Sequence, residues 1–114
     1  MRMWNVDVEY MCNQHILGEH VEMHMFVGAL ERKKSFKGFV EKGFVEIHNI
    51  RKRHSELEIE MIKRGMNHKS PIHRMKFVRL GKVDPEKSMV DLLKRCKNCR
   101  TNFKFKSKKY KEVK

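Results

Sequence analysis

The alternation of apolar and polar positions divides the chain into helical stretches punctuated by glycine and proline. Asp7 suits an N-cap, and the proline-free span from about Asp7 to Lys33 predicts one or two helices, with Gly18 and Gly28 as weak points. In "SFKGFVEKGFVEIHNI" the closely spaced Gly38 and Gly43 predict a short helix or turn from about Phe36 to Lys42, then a loop to Asn49. The clearest periodicity follows. Ile50, His54, Leu57 and Met61 repeat at 4, 3 and 4 residues, which predicts a helix from near Asn49 to Arg64 with its apolar stripe in the core and Gly65 as its C-cap. A basic connector with Pro71 and Gly81 spans Met66 to Val83 and holds a short extended candidate, "MKFVRL". Asp84 then caps a helix with Pro85 at its first position, and Met89, Leu92, Leu93 and Cys96 keep helical spacing. The closing stretch "TNFKFKSKKYKEVK" has no helical stripe; its alternating Phe103 and Phe105 predict an extended segment on the body or a mobile arm. The expected fold is mainly α: one compact domain, residues 1–114, with short irregular connectors and a basic C-terminal segment from about residue 94.

Length supports this expectation, because 114 residues bury one modest core but hardly two. Charge adds a partner. Lys and Arg number 27 against 14 Asp and Glu, a net +13, and residues 94–114 hold ten of the cations with Glu112 as their one acid, so +9 lies there and +4 in the rest. Such an excess points to a polyanion, above all nucleic acid. No apolar run is long enough to span a membrane and the start lacks a signal-peptide pattern, so a soluble cytoplasmic protein is expected, with reduced Cys12, Cys96 and Cys99 and no disulfide framework.

The candidate chemistry gathers in "NQHILGEHVEMH", residues 13–24. At about 100° per residue His15, Glu19, Glu22 and Phe26 share one stripe, with His20 and His24 nearly opposite. The helix is mostly apolar and is expected to be largely buried; ionisable groups on it are costly unless they pair or work, so a structural His/Glu network and a catalytic or ligand-reading stripe both fit. For metal, His20 and His24 stand at i and i+4, but "HVEMH" lacks the glutamate placement of an H-E-x-x-H site. Cys96-Lys97-Asn98-Cys99 is a single C-x-x-C that Cys12 or a histidine could complete as structural zinc; two semi-buried thiols are the plainer reading. No metal or other cofactor is expected.

The blocks "NQHILGEHVE" at 13–22 and "RKRHSELEIEMIKRGMNHKSP" at 51–71 resemble the pyrimidine-dimer DNA glycosylases with AP-lyase activity, the phage endonuclease V type. The likeness covers roughly residues 1 to 71 and weakens from about His73. It implies a compact helical enzyme on damaged double-stranded DNA, acting as a monomer, whose N-terminal α-amine attacks the sugar C1′ and forms an imine that permits strand cleavage. By this resemblance the nucleophile is the amine of Met1, expected to be retained because Arg2 is too large for Met removal, and the essential glutamate is Glu22. Arg2, Gln14, His15 and Glu19 would contact substrate. Two arginines of the phage enzyme's helix are Val21 and Met25 here. His20 and His24, with Lys69 and Arg74 of the connector, are the candidates to replace their phosphate grip. The rival readings are a non-catalytic nucleic-acid-binding module and a metal-dependent nuclease.

Overall fold

The computed structural model describes residues 2–32, 35–66, 72 and 79–112, with side chains as far as residue 105. In chain order it contains a 3-10 turn at Val8–Tyr10, α1 (Asn13–Glu31), α2 (Lys37–Glu41), a second 3-10 turn at Ile47–Asn49, α3 (Ile50–Lys63), α4 (Pro85–Arg95) and α5 (Lys97–Glu112). The fold is mainly α, and no strand occurs among the described residues.

The local signals of the sequence account for most of these boundaries. Asp84 accepts hydrogen bonds from the backbone N–H groups of Glu86 and Lys87, and Pro85 fills the first turn of α4, where its missing N–H costs nothing. Gly65 follows the α3 C-cap with φ +79°, the left-handed conformation that ends a helix most cheaply in glycine. Asp7 caps the first 3-10 turn rather than α1, accepting from the Glu9 N–H at 3.0 Å, so the predicted Asp7–Lys33 region is a turn followed by one long helix.

The core lies between α1 and α3 and is completed by the first residues of the chain. Ile50, His54, Leu57 and Met61 of α3 are all buried, as their spacing predicts. Ile16, Met23, Phe26 and Val27 of α1 meet them from the other side. Met3, Trp4 and Val6 are buried too, and the Met3 N–H donates to the Phe44 carbonyl at 2.6 Å. At roughly 1.5–3 kcal/mol per buried large apolar side chain, these three residues hold the start of the chain inside the fold. The last described part of the connector is tied down as well. Gly81 has φ +93°, and a Cβ there would lie 2.1 Å from the Val45 carbonyl oxygen, so this crossing requires glycine.

Two expectations are corrected. The C-terminal segment is a helix, α5, rather than an extended or mobile arm. Phe103 packs edge-on against Tyr10 with centroids 5.1 Å apart, the Asn102 side-chain amide donates to the Met11 carbonyl at 3.3 Å, and Cys99 is fully buried. The inward-facing run, buried at Cys99 and half-buried at Asn102 and Phe103, has helical spacing. Phe105 is 70 % exposed, because residues two apart point to opposite sides of a helix as well as of a strand. Second, α1 is not buried all round: Leu17, Val21 and Met25 line an open face. The strand candidate at 75–80 lies mostly outside the described residues.

Candidate active site on the first long helix

The buried face of α1 runs through Ile16, Met23 and Val27, and the polar residues flank it on two sides. On one flank Glu19 and Glu22, three residues apart, meet different fates. Glu19 is 1 % exposed and holds Arg53 of α3 through two contacts, Nε to Oε2 at 2.6 Å and Nη2 to Oε1 at 2.9 Å. Arg53 also donates to the Val6 carbonyl at 2.7 Å and is itself buried. With both oxygens on a guanidinium, Glu19 is a structural clamp between α1, α3 and the N-terminal segment, which corrects its reading as a substrate contact.

Glu22 sits at the rim. Its Oε2 accepts a hydrogen bond from the Arg2 backbone N–H at 3.2 Å, so the carboxylate lies against the second residue of the chain. Burial raises its pKa above the ordinary carboxylate value; the Arg2 hydrogen bond pulls downward without cancelling the rise, and the nearby charge of Glu19 adds to it. A hollow opens beside it, lined by Trp4, Gln14, His15, Gly18, Glu19 and Glu22. Gly18 keeps its floor open, since a Cβ there would meet nothing within 4 Å.

Arg2 carries this rim on an internal mount. Its guanidinium donates to Asp91 Oδ2 at 3.0 Å and to Ser88 Oγ at 3.4 Å, both on α4, and stacks 4.1 Å from the Trp4 centroid and 4.6 Å from that of Phe44. The hydrogen bond from Arg2 holds the Asp91 carboxyl below its ordinary value. Nε and Nη1 of Arg2 have no hydrogen-bond partner among the described residues, and the side chain borders a second hollow with Lys42, Lys82 and Lys87. Arg2 is therefore buried, and Asp91, Ser88 and Trp4 are supporting residues that no sequence period marks.

On the other flank His20 and His24 turn toward α3, where their rings and that of His54 lie 4.8–4.9 Å apart and His24 Nε2 is 3.2 Å from His54 Nε2. His20 is buried, which corrects its reading as a surface stand-in for a lost arginine. Val21 and Met25, at 53 % and 48 % exposure, are surface positions, so the loss of positive charge falls on open surface. Met1, Lys69 and Arg74 lie outside the described residues.

His15 turns its Nδ1 toward two cysteines. Its Nδ1 is 3.3 Å from Cys12 Sγ and 3.7 Å from Cys99 Sγ, and its ring stands edge-on to Trp4. Burial lowers its pKa below the ordinary imidazole value, against the pull of Glu19. Gln14 remains exposed at the mouth of the hollow.

No described helix is long and apolar enough to cross a membrane. Searches against curated proteins and against solved structures each find no match. A family model described as pyrimidine dimer DNA glycosylase matches residues 1–74, the part that contains α1, α3 and the Arg2–Glu22 contact. With nearly two thirds of its length matched, the chain belongs to the pyrimidine dimer DNA glycosylase family.

Proposed function

We propose that this DNA glycosylase removes pyrimidine dimers from duplex DNA through an imine formed by the α-amine of Met1, and then cleaves the strand as an AP lyase. The observation that carries the reading is the 3.2 Å hydrogen bond from the Arg2 backbone N–H to Glu22. Three covalent bonds separate that nitrogen from the α-amine of residue 1, which keeps the amine within about 3.6 Å of it. A reference pKa of about 7.7–8.0 leaves a useful fraction of an α-amine neutral near pH 7, where a lysine is almost wholly charged.

The neutral amine adds to C1′ as the glycosidic bond breaks and the base leaves with its electron pair. The amine proton passes to Glu22, whose raised pKa suits it to hold one. Opening of the C1′–O4′ bond yields the imine, with the proton delivered to O4′. Removal of a C2′ proton then expels the 3′ phosphate by β-elimination. Gln14 borders the extruded nucleotide, and Lys69 and Arg74 contribute positive charge toward phosphate. Extruding the nucleotide costs a few kcal/mol, less at a damaged step, and phosphate contacts offset it.

Borohydride trapping tests the reading. The full chain with a free Met1 amine should form a covalent adduct on dimer-containing and abasic duplexes, and an uncleaved N-terminal extension should abolish it. An adduct mapped to a lysine would redirect the mechanism, and salt-dependent binding without any adduct would leave a non-catalytic binding module.

A further inference from the structure

The cysteines have no part in the imine chemistry, yet they converge. Cys12 is the N-cap of α1 and makes no side-chain capping bond, while His15 is the third residue of that helix. Cys96 closes α4 immediately before α5, and Cys99 is the third residue of α5. Two helix N-termini thus bring together a C-x-x-H and a C-x-x-C pair, and all four ligand atoms lie within 4.8 Å of one another.

We infer that Cys12, His15, Cys96 and Cys99 bind one zinc ion, in a closed structural site that fastens α5 to the N-terminus of α1. Zn–S and Zn–N bonds of about 2.3 and 2.05 Å at tetrahedral angles place sulfurs about 3.8 Å apart and sulfur and nitrogen about 3.6 Å apart. Cys12 Sγ lies 3.7 Å from Cys96 Sγ and 3.3 Å from His15 Nδ1, and Cys99 Sγ lies 3.7 Å from the same nitrogen. These three separations lie within about 0.3 Å of those a zinc ion sets, and the remaining pairs lie within 4.8 Å. Two of the sulfurs already accept backbone N–H bonds, Cys99 from Cys12 at 3.2 Å and Cys96 from Cys99 at 3.4 Å, the outer-shell support that metal thiolates use. Both helix N-termini favour negative charge, so they suit the net −1 of a three-thiolate zinc centre.

Four protein ligands leave no open position, which makes the site structural rather than catalytic. Its consequence for function is positional. His15 also borders the Glu22 hollow, so an ion on Nδ1 would fix that wall and turn His15 from a substrate contact into a ligand. Half of the ligand set, Cys96 and Cys99, lies beyond the family-matched residues 1–74. The inference does not depend on the imine mechanism.

The test uses the full chain, purified under reducing conditions without chelator. Elemental analysis should find one zinc per chain, lost in Cys99→Ser and retained in Cys96→His. Cobalt added to chelator-stripped protein should give the thiolate-to-metal charge-transfer band and the intense visible bands of a tetrahedral site, and zinc should raise the melting temperature. Zinc-free protein with three thiols freely titratable would overturn the inference. So would cobalt bound without a thiolate band, which would place metal at His20, His24 and His54, or a disulfide between Cys12 and Cys96 that forms whether or not metal is added. The wild-type measurements decide the matter even if a cysteine variant fails to fold.

Discussion

Glu19 and Glu22 stand one helical turn apart on α1, yet one is held in the interface with α3 and the other at the edge beside the start of the chain. The difference is compensation. Glu19 gives both oxygens to Arg53, which also donates to the Val6 carbonyl and the Met11 sulfur, so the Glu19 charge is paired inside the fold. Glu22 receives one backbone N–H and is otherwise half desolvated, which leaves its proton affinity raised. A fully paired buried carboxylate specifies packing, whereas an under-compensated one at a rim is available for proton transfer.

The sharpest way to break this comparison is to exchange the two effects by mutation. Glu22→Gln should lower single-turnover cleavage of dimer-containing duplex by about 10²–10⁴-fold, the usual range for a positioned acid or base. Its stability should hold or rise slightly. Glu22 has a folded pKa above its unfolded one, so the native state is favoured below the unfolded pKa and loses that advantage as pH rises through the folded value. Cleavage at the native rate would remove Glu22 from the mechanism.

Arg53→Met should do the reverse. Stranding Glu19 in the interface is expected to cost about 3–5 kcal/mol in urea unfolding, with activity per folded molecule near native. If this variant kept its stability and lost its activity, Glu19 would belong to the site rather than to the scaffold.

The pH profile separates the two carboxylates without mutation. Protonation of the α-amine sets the first fall of the cleavage rate on the acid side, and because burial raises the Glu22 pKa, a second fall of about tenfold per pH unit should set in above the ordinary carboxylate value. A second fall at the ordinary carboxylate value would mean that Glu22 is not the titrating group. The smallest effect concerns the floor between them: Gly18→Ala should add about 0.5–1 kcal/mol of stability, since glycine is a poor helix residue, while adduct formation falls as the methyl enters the hollow. A stable variant with undiminished trapping would show that substrate does not approach this floor.

Much of the fold was legible because its signals are local. Capping by Asp84, Pro85 at the start of α4, the glycine ending α3 and the α3 stripe each involve residues within a few positions of one another. The C-terminal helix was not legible, because a two-residue alternation of phenylalanines in a lysine-rich stretch fits either a strand or a helix until Tyr10 arrives to cover one of them. Helix α1 misled for a related reason: its apolar residues point in every direction, so periodicity could not say that Leu17, Val21 and Met25 face outward. Glu22 could be singled out from its position in the family motif, but Arg53, Asp91 and Trp4 could not be found from spacing.

By itself the sequence determined the helical character, the main boundaries, the excess positive charge and the motif that contains Glu22. Tertiary structure alone decided which glutamate is clamped and which is left at the rim, that the first residues thread the core, and that Cys12 and His15 meet Cys96 and Cys99. Caps and periodicity are set by neighbours along the chain, whereas desolvation, pairing and ligand convergence depend on what arrives from distant parts of it.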